Sequence, residues 1–398
     1  MEKYKEEAYK NQIVTPWIVD SRSKDGIDYD KLINEFGTES ITDELLNKFT
    51  KITGYSPHIF LKRKLFFSHR DFNKLLDEYV KGVPLYIYTG RGPSGNIHMG
   101  NKIIFDFTVW LQKVFNNSIV IIQMADDEKF YFKDISLEEA YNLGFENAKD
   151  IIACGFDINR TFIFSNLDYN GFTSRNRALL MKKINVNMLN STYGFGLDSN
   201  IGMLQWPIHE IVPCMPSSFP FIFGNNNKAA MCLVPCAIDQ DLFFRTFRDF
   251  ANGLGCYKPC LIHSKFLVSL QGIQKKMSTS SNIPTAIFLN DSDKMIHEKI
   301  IKHAFSGGGN TLKEHKTFGC NLLVDVSYQY LLYFEEDEDK LNEITLKYGK
   351  GIMSTNEVKL YLINKLILLT EKHKKQRNEV TDDIVKKFYD IEKFKLNN

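Results

Sequence analysis

Short apolar runs alternate with helical patterns along the first two thirds of this 398-residue chain, and this alternation restricts its fold most. Runs bounded by turn residues predict buried strands at 85–88, 119–124, 161–164, 231–238 and 261–268. Residues 137–154 have a helical pattern instead, with a capping box at Ser136 and Glu139. Strands that alternate with helices form βαβ units, which build a parallel sheet with right-handed crossovers. We therefore predict an α/β, Rossmann-like parallel sheet whose ligands bind beyond the carboxyl ends of the strands.

The sheet domain is predicted to span residues 85–281. Within it, the stretch 165–230 is too long for one crossover and is predicted to be a helical insertion. Residues 1–84 mix turns with short helices and are predicted to form an N-terminal extension. In residues 282–398 helical patterns replace the strand patterns, so we predict an all-α C-terminal domain.

Composition excludes several other classes of protein. Apolar residues make up 43% and charged residues 25%, close to average globular usage, which argues against disorder, collagen and coiled coil. The N-terminus is charged and no apolar stretch reaches the ~18 residues that cross a bilayer, so secretion and membrane insertion are not expected. The seven cysteines are an odd number over a long chain, which favours reduced thiols in the cytoplasm. With a net charge of +2, any nucleic-acid contact must come from local basic patches.

A glycine-rich turn follows the first predicted strand. Residues 88–101 read Tyr-Thr-Gly-Arg-Gly-Pro-Ser-Gly-Asn-Ile-His-Met-Gly-Asn. Glycines allow a ligand to approach the backbone, and a helix that begins near His98 presents free N–H groups and a positive dipole end to phosphates. The turn matches GxGxxG but lacks the later acidic residue of a dinucleotide site, and it lacks a P-loop lysine. It predicts a nucleotide-phosphate site, with an ordinary βα turn and a solvated His98 as the alternative.

A second motif lies shortly after the last predicted strand. Residues 275–281 read Lys-Lys-Met-Ser-Thr-Ser-Ser. A lysine among small hydroxyl residues can neutralise the charge that builds up as pyrophosphate leaves, although many such loops are only solvated. The two motifs follow the first and last strands, which the predicted fold brings to the same edge of the sheet. Together they predict one site for a nucleoside triphosphate.

The two motifs resemble the signatures of class I aminoacyl-tRNA synthetases. Residues 98–101 stand where that class has its HIGH signature, and residues 276–280 stand where it has KMSKS. More narrowly, the chain is similar to the eukaryotic-type tryptophanyl-tRNA synthetases from about Thr15 to Lys393. The segments that carry this resemblance are 16–17, 26–32, 66–71, 88–94, 123–129, 154–159, 237–241 and 303–308.

The resemblance implies two-step chemistry on ATP. The carboxylate of L-tryptophan would attack the α-phosphorus, pyrophosphate would leave, and the 3′ adenosine of tRNA(Trp) would capture the acyl group. Such chemistry needs positioning and charge stabilisation rather than a protein nucleophile, and Mg²⁺ would bridge phosphates without a protein metal site. The residues that would act on the reacting groups are His98, Asn101, Lys276 and Arg91. The residues that would bind ATP are Thr89, Gly90, Gly92, Pro93, Gly100, Gln240, Met277, Ser278 and Ser280.

The implied amino-acid pocket must satisfy the indole N–H, because a donor buried without an acceptor costs about 1–3 kcal/mol. By the family pattern, the Tyr88 hydroxyl and the Gln123 side chain would take this role. Glu128 and Gln240 would meet the ammonium and carboxylate of the substrate. Alone, they would read as ordinary residues at a turn or helix start. Glu210 stands where the family has a substrate-binding glutamine, although a shift of one position would place a histidine there.

Two positions depart from the signatures. Asn101 replaces the second histidine of the first signature, and it can donate a hydrogen bond but carries no charge. Thr279 replaces the second lysine of the other signature, so Lys276 is its only cation. The change at Asn101 predicts weaker stabilisation of the phosphates, whereas the resemblance implies that the change at Thr279 is tolerated in the eukaryotic-type enzymes.

The C-terminal helical domain would bind the anticodon arm of the tRNA. Its predicted phosphate contacts are Lys359, Lys365, Lys374, Lys375 and Arg377. Cations that close a helix are the alternative explanation for several of them. The resemblance also implies a homodimer, with the insertion at the subunit interface and the tRNA spanning both subunits.

Three other functions and one metal site compete with this interpretation. A tyrosyl-tRNA synthetase shares the fold and both signatures, and a small-molecule nucleotidyltransferase shares the sheet and the first signature. A non-catalytic paralogue that binds partners or RNA is a third alternative, given Asn101 and Glu210. Structural zinc is disfavoured by the x3 spacing of its potential ligands, and we predict no metal-binding residue. Those potential ligands are Cys232, Cys236, Cys256 and Cys260.

Overall fold

The computed structural model describes residues 12–93, 95–277 and 286–395, and these ranges form two sheets and a set of surrounding helices. The strands, in chain order, are β1 (Gln12–Val14), β2 (Val19–Ser21), β3 (Glu39–Ser40), β4 (Phe66–Arg70), β5 (Leu85–Arg91), β6 (Ile119–Met124), β7 (Thr161–Ser165), β8 (Met231–Ala237), β9 (Cys260–Ser264), β10 (Val268–Ser269) and β11 (Gly272–Lys276). The central sheet has the order β3-β4-β9-β8-β5-β6-β7, and the smaller sheet has the order β1-β2-β11-β10.

The middle of the central sheet is parallel, which confirms the predicted fold class. β5 pairs in parallel with β6 and β8, β6 pairs with β7, and β8 pairs with β9. Side chains of β5 alternate between two hydrophobic clusters: Ile87 faces one, while Tyr86 and Tyr88 face the other, which the insertion helices cover. A strand that is buried on both faces reads as a continuous apolar run, as this one does. The alternation aims Tyr88 at the insertion.

The strand predicted at 261–268 is wrong in its second half. β9 ends at Ser264, and Val268 begins a strand of the smaller sheet. Phe266 and Leu267 are buried in two different clusters, the second of which also holds Ile262 of β9, so their apolar character does not show that the strand continues. A short apolar run does not distinguish a buried turn from a strand.

The described part of the N-terminal segment is built into both sheets. β4 pairs antiparallel with β9, and β3 covers the edge of β4. The hairpin of β1 and β2 joins the smaller sheet, where Asp20 pairs with Lys275. Arg70 anchors this segment through a bidentate ion pair with Asp241, at 2.6 and 2.7 Å. The sheet therefore extends across the predicted boundary at residue 84.

Helices cover both faces of the central sheet and make up the C-terminal region. In the N-terminal segment and around the parallel strands they are Tyr29–Phe36, Asp43–Thr53, Ile59–Lys62, Phe72–Val80, Met99–Val114, Glu128–Phe132, Leu137–Ile152 and Asp241–Phe250. In the insertion they are Asn170–Met181, Val186–Tyr193, Ile201–Ile211 and Pro220–Phe223. In the C-terminal region they are Asp293–His303, Leu312–Phe318, Val326–Phe334, Glu338–Gly349, Thr355–Asn378, Asp382–Tyr389 and Glu392–Lys395. Short 3-10 turns lie at Val212–Cys214, Pro216–Ser218, Ile238–Gln240 and Asn252–Leu254.

Local chemistry explains several helix starts. Ser136 accepts a hydrogen bond from the backbone N–H of Glu139, which is one half of the predicted capping box; the return bond from the Glu139 side chain is not found among the described residues. The 24-residue helix Thr355–Asn378 begins with a reciprocal capping box between Ser354 and Glu357. Among the residues that the structure describes, no helix combines the length and the apolar character that crossing a membrane requires.

Candidate active site

A cleft of about 320 Å³ opens beyond the carboxyl ends of β5 and β8. It is where ligands bind in sheets of this class. Its lining combines the glycine-rich turn, the start of the helix Met99–Val114, the insertion, the N-terminal hairpin and the end of β11. The predicted site residues that line it are Tyr88, Thr89, Gly90, Arg91, Gly92, His98, Gly100, Asn101, Glu128, Glu210, Gln240, Lys276 and Met277.

His98 caps the helix that opens onto the cleft. Its Nδ1 accepts a hydrogen bond from the backbone N–H of Asn101 at 3.3 Å, and the Asn101 Oδ1 accepts from the His98 N–H at 3.4 Å. Because Nδ1 is an acceptor, the ring proton is on Nε2, for which no hydrogen bond is found within the described residues. Burial lowers the pKa of His98 to about 3, and the positive charges of Arg91 and Lys276 act in the same direction. His98 is therefore a neutral donor at the cleft.

Glycine at position 92 makes room for an acidic side chain. A Cβ at Gly92 would lie 1.7 Å from Oε2 of Glu128. Glu128 begins the helix Glu128–Phe132 and is held by Lys129 at 2.7 Å. The glycine-rich turn therefore leaves space for the Glu128 carboxylate, which reaches the cleft from the segment that follows β6.

Arg91 is fixed at the end of β5. Its Nε donates to Oδ1 of Asn147 at 3.0 Å, and Asn147 in turn donates to the carbonyl oxygen of Gly95. Burial lowers the pKa of Arg91 to about 10, so the group remains charged at neutral pH. Pro93 does not line the cleft; it lies beside Gly144 of the adjoining helix, because the turn folds back there.

The second motif reaches the same cleft from the opposite side. Lys276 ends strand β11, where its Nζ forms an ion pair with the buried carboxylate of Asp239 and lies over the Phe266 ring. The chain then returns beside His98, which forms a β-bridge with Phe288. The predicted convergence of the two motifs is therefore observed. Ser278 and Ser280 lie outside the described residues.

Tyr88 and Gln123 form a buried pair at the other end of the cleft. The Tyr88 hydroxyl lies 2.5 Å from Oε1 of Gln123 and 2.8 Å from the carbonyl oxygen of Glu210. Burial raises the pKa of Tyr88, so the phenol keeps its proton. Tyr88 lines the cleft, whereas Gln123 is only 1% exposed and lies behind it. The structure thus places Gln123 as a support for Tyr88 rather than in the lining.

Glu210 faces the cleft from the helix Ile201–Ile211. Burial raises the pKa of Glu210 to about 8, and the nearby carboxylates of Glu128 and Asp127 raise it as well. No hydrogen bond to its carboxylate is found within the described part of the chain. A neutral acid beside an acidic neighbour is suited to meet a cation that enters the cleft.

Two residues that sequence analysis missed, Asp239 and Trp17, also line the cleft. Asp239, which holds Lys276, belongs to the predicted segment 237–241 but was given no role. Trp17 of the N-terminal hairpin lines the cleft and stacks on Phe132 with ring centroids 4.5 Å apart. In the sequence, Pro16 and Trp17 contribute only to the family resemblance and have no predicted role in the site. The place of Trp17 became visible only once the hairpin was seen to join β11.

The basic residues predicted to contact tRNA have mostly internal partners. Lys359 donates to the carbonyl oxygen of Ile301, and burial lowers its pKa. Lys365 pairs with the buried Glu335 at 3.0 Å, and Lys374 donates to the carbonyl oxygen of Asp291 at 2.9 Å. These contacts join the long helix to the rest of the molecule.

Arg377 and Lys375 differ sharply in their surroundings. Arg377 pairs with Glu146 at 2.8 Å and with Asp150 at 3.0 Å, both on the helix Leu137–Ile152. Lys375 is exposed, with no ion pair to the described residues. Of the five predicted tRNA contacts, Lys375 is the one that the structure leaves facing solvent.

Metal ligands do not cluster in the part of the chain that the structure describes. No group of three or more His, Cys, Asp or Glu side chains there has a metal-binding arrangement. The cysteines at 232, 236, 256 and 260 are all buried free thiols. Burial raises the pKa of Cys260, and that of Cys256 to about 12, so these thiols are protonated.

Comparisons with known proteins point in one direction. A family model described as "tRNA synthetases class I (W and Y)" matches residues 81–371. The chain is 50% identical over 383 residues to the cytoplasmic tryptophan–tRNA ligase of Homo sapiens, covering 95% of this chain and 81% of that protein. It is 44% identical over 388 residues to the cytoplasmic tryptophan–tRNA ligase of Dictyostelium discoideum, covering 96% of each. Its structure matches that of a tryptophanyl-tRNA synthetase from Encephalitozoon cuniculi bound to tryptophan, with a TM-score of 0.85, 40% identity and coverage of 93% and 100%.

Proposed function

We propose that this chain, which belongs to the class I tRNA synthetases for tryptophan and tyrosine, is a tryptophan–tRNA ligase that works in the cytoplasm. It would activate L-tryptophan with ATP to tryptophanyl-adenylate and transfer the acyl group to the 3′ adenosine of tRNA(Trp). The observation that carries this proposal is that one cleft joins two ends of different chemistry. At one end lie His98 and Lys276, whose N–H groups can donate hydrogen bonds to phosphate. At the other end lies a buried hydrogen-bonded pair, Tyr88 and Gln123.

The phosphate end would work by electrostatics. Nε2–H of His98 and the free amide N–H of Asn101 are aimed from a helix start, where the dipole already favours anions. Lys276 would leave Asp239 and move onto the triphosphate as negative charge grows on departing pyrophosphate. Arg91, held by Asn147, adds a second fixed charge. None of these groups needs to transfer a proton.

Mg²⁺ fits this site only as a partner of the phosphates. The side chains that line the phosphate end are mainly hydrogen-bond donors, and the carboxylate among them, Asp239, is paired with Lys276. Mg²⁺ commonly keeps several waters and binds substrate phosphates with one or two protein carboxylates. Once Lys276 has left, Asp239 would be the carboxylate available to hold Mg²⁺, which would supply positive charge to the triphosphate.

The amino-acid end would recognise both parts of tryptophan. The Tyr88 oxygen donates its proton within the protein and keeps lone pairs for the indole N–H. Glu128 and Glu210 would share the substrate ammonium, and Gln240 would meet its carboxylate and the adenylate. The two carboxylates would keep the amino group in place while the carboxylate of the substrate attacks ATP.

The anticodon arm would meet the far side of the helical domain. Phe318 and Ile352 are 82% and 70% exposed there, although both are large apolar residues. Lys316 and Lys350 are exposed on the same two adjacent segments. Exposed aromatic rings next to lysines suit unstacked bases and their phosphates. Lys375 would add a phosphate contact.

A homodimer would cover the apolar surface of the insertion. Leu197 is fully exposed, Ile201 is 75% exposed and Val186 is 55% exposed. Several large apolar side chains left exposed on one insertion are expected where a protein interface covers them. Sedimentation should give a dimer for the wild type and a monomer for Leu197→Glu/Ile201→Glu; a monomeric wild type would refute the proposal.

Amino-acid-dependent ATP–pyrophosphate exchange tests the function. We expect exchange with L-tryptophan and little with L-tyrosine, followed by charging of tRNA(Trp). Preference for tyrosine would favour the tyrosyl enzyme. Adenylate formation that tRNA neither stimulates nor consumes would favour a small-molecule nucleotidyltransferase. Absence of exchange, charging and binding of both substrates would favour a non-catalytic paralogue.

A further inference from the structure

A closed cycle of hydrogen bonds lies directly behind the amino-acid end of the cleft. Gln123 Nε2 donates to Oδ1 of Asn166 at 2.8 Å, and Asn166 Nδ2 donates to Oδ1 of Asp127 at 2.8 Å. The other oxygen of Asp127 lies 2.6 Å from Nδ1 of His209. Gln123 Nε2 also donates to the carbonyl oxygen of His209 at 3.0 Å, which closes the cycle. None of these bonds involves a group proposed to touch ATP.

Arg177 fixes the tautomer of His209, and the acceptor-only carboxylate of Asp127 and carbonyl oxygen of His209 fix the other bonds of the cycle. Nη1 of Arg177 lies 2.9 Å from Nε2 of His209, and a guanidinium can only donate. Nε2 of His209 must therefore accept, so the ring proton is on Nδ1 and is donated to Asp127. The other carboxylate oxygen of Asp127 then accepts the Asn166 amide N–H, which turns Oδ1 of Asn166 toward Gln123. Each residue has one orientation that satisfies its neighbours.

The cycle determines which atom Gln123 presents to Tyr88. Both N–H groups of the Gln123 amide are consumed, by Asn166 and by the His209 carbonyl. Only Oε1 is left to face the Tyr88 hydroxyl. The Tyr88 proton is thus directed into the protein, toward this oxygen or toward the carbonyl oxygen of Glu210 at 2.8 Å, and the remaining lone pairs of the Tyr88 oxygen are available on the cleft side. An indole N–H needs such an acceptor.

We propose that His209, together with Arg177, is a positioning residue for recognition of the indole N–H. This inference rests on the proposed function, because it assigns a role within the tryptophan pocket. His209 does not line the cleft. Through Asp127 and Asn166 it holds the Gln123 amide in the orientation that makes Tyr88 an acceptor. The side chain of His209 is 10% exposed and that of Asp127 is 2% exposed, so water does not readily replace the missing bonds.

The test compares tryptophan with its benzothiophene analogue, which has a similar shape but no N–H. In pyrophosphate exchange, we expect His209→Leu to narrow the preference in kcat/KM for tryptophan over this analogue by about tenfold, as expected when a positioned polar contact is lost. A purely structural role would raise both KM values together and leave the ratio unchanged. Kcat with saturating tryptophan and KM for ATP should change little.

Two further variants separate positioning from packing. Asn can place an N–H where His209 has Nδ1, so His209→Asn should restore most of the preference. Arg177→Met removes the group that sets the tautomer of the His209 ring. This variant should narrow the preference for tryptophan over the analogue less than His209→Leu does. His373→Leu is the matched control, since it breaks another buried His–Asp pair, with Asp150 at 3.1 Å, away from the cleft. It should lower stability and leave the preference intact.

The outcomes distinguish this inference from the function on which it rests. A wild-type protein that does not activate tryptophan would overturn the proposed function itself. A wild type that activates tryptophan and discriminates against the analogue, with folded His209→Leu discriminating equally well, would overturn the role of His209 alone. If His209→Leu does not fold, an unchanged preference in Arg177→Met would overturn the inference instead.

Discussion

The two ends of the cleft would bind their proposed groups by opposite means. At the phosphate end, His98 and Lys276 are separate donors from distant parts of the chain, and Lys276 is 32% exposed and held by one ion pair. At the amino-acid end, Tyr88 and Gln123 are 1% exposed and belong to a network in which nearly every polar atom has a partner. In the proposed function, the charge that follows the leaving pyrophosphate would be carried by a side chain that can move. The indole N–H would be recognised by side chains that are fixed in place.

The largest expected effect is at the mobile end. Lys276→Ala should remove about 2–4 kcal/mol of transition-state stabilisation, because one charge that follows the leaving pyrophosphate is lost. Tryptophan affinity, measured by calorimetry, should stay within about twofold because the Tyr88 end is untouched. The neighbouring Lys275→Ala is the matched control, because the Lys275 side chain is 72% exposed. Its ion pair with Asp20 is long, at 3.9 Å. Equal exchange rates for Lys276→Ala and wild type would contradict this division.

Gly92→Ala tests whether Glu128, which lies against the glycine-rich turn, holds the ammonium of tryptophan. The added Cβ would lie 1.7 Å from Oε2 of Glu128, so the carboxylate must move. We expect a loss of about 1.5–3 kcal/mol in tryptophan binding, the usual contribution of a hydrogen bond to a charged group. Gly171→Ala, where a Cβ meets nothing within 4 Å, should leave binding unchanged. Wild-type affinity in Gly92→Ala would mean that Glu128 does not hold the ammonium.

Glu210 should make the static end sensitive to pH. Because the pKa of Glu210 is raised to about 8, its carboxyl is mostly protonated at pH 7 without substrate and ionised at pH 9. Tryptophan, whose ammonium favours the ionised form, should bind up to about tenfold more tightly as pH rises from 7 to 8.5, with proton release at pH 7. Calorimetry in buffers of different ionisation enthalpy measures both quantities.

Glu210→Gln should remove this pH dependence and the proton release. The raised pKa of Glu210 also affects folding stability. The ordinary pKa of a glutamate is 4.5, so the wild type loses stability as the pH rises from 4.5 toward 8. Glu210→Gln should therefore gain stability relative to wild type above pH 8 and show no gain below pH 4.5. A wild type whose tryptophan affinity is flat between pH 7 and 8.5 would contradict the role of Glu210.

The smallest effect is expected on the helical domain. Lys375→Ala should lower the slope of log K against log salt for tRNA binding by about 0.7–0.9, the value for one phosphate contact. Lys365→Ala should leave this slope unchanged and lower the melting temperature, because it unpairs the buried Glu335. A lower salt slope in Lys365→Ala, with an unchanged slope in Lys375→Ala, would show instead that Lys365 is the phosphate contact.

Sequence patterns predicted the parallel sheet and the convergence of the two motifs on one cleft, and they predicted the surroundings of Tyr88 less completely. The glycine-rich turn and the cap at His98 are local features, set by residues a few positions apart. The cycle behind Tyr88 joins residues 39 to 86 positions apart and uses the backbone carbonyl of His209, which no side-chain pattern reveals. The ion pair between Lys276 and Asp239 is similarly distant, at 37 positions.

Buried turns and short edge strands limited the prediction of the fold. The run at 261–268 was read as one strand because burial against two clusters gave it an uninterrupted apolar pattern. The two-residue strand β3 and the hairpin of β1 and β2 are too short for a periodic signal. Their pairing with distant strands, rather than their own residues, brings Trp17 to the cleft.

A crystal structure with a non-hydrolysable tryptophanyl-adenylate analogue tests the division between the two ends most directly. The account predicts the indole nitrogen within hydrogen-bond distance of the Tyr88 oxygen, with the cycle through His209 unchanged. It also predicts the α-phosphate group beside Nε2 of His98. An indole ring seated elsewhere, or a Gln123 amide turned to present its N–H groups to Tyr88, would contradict it.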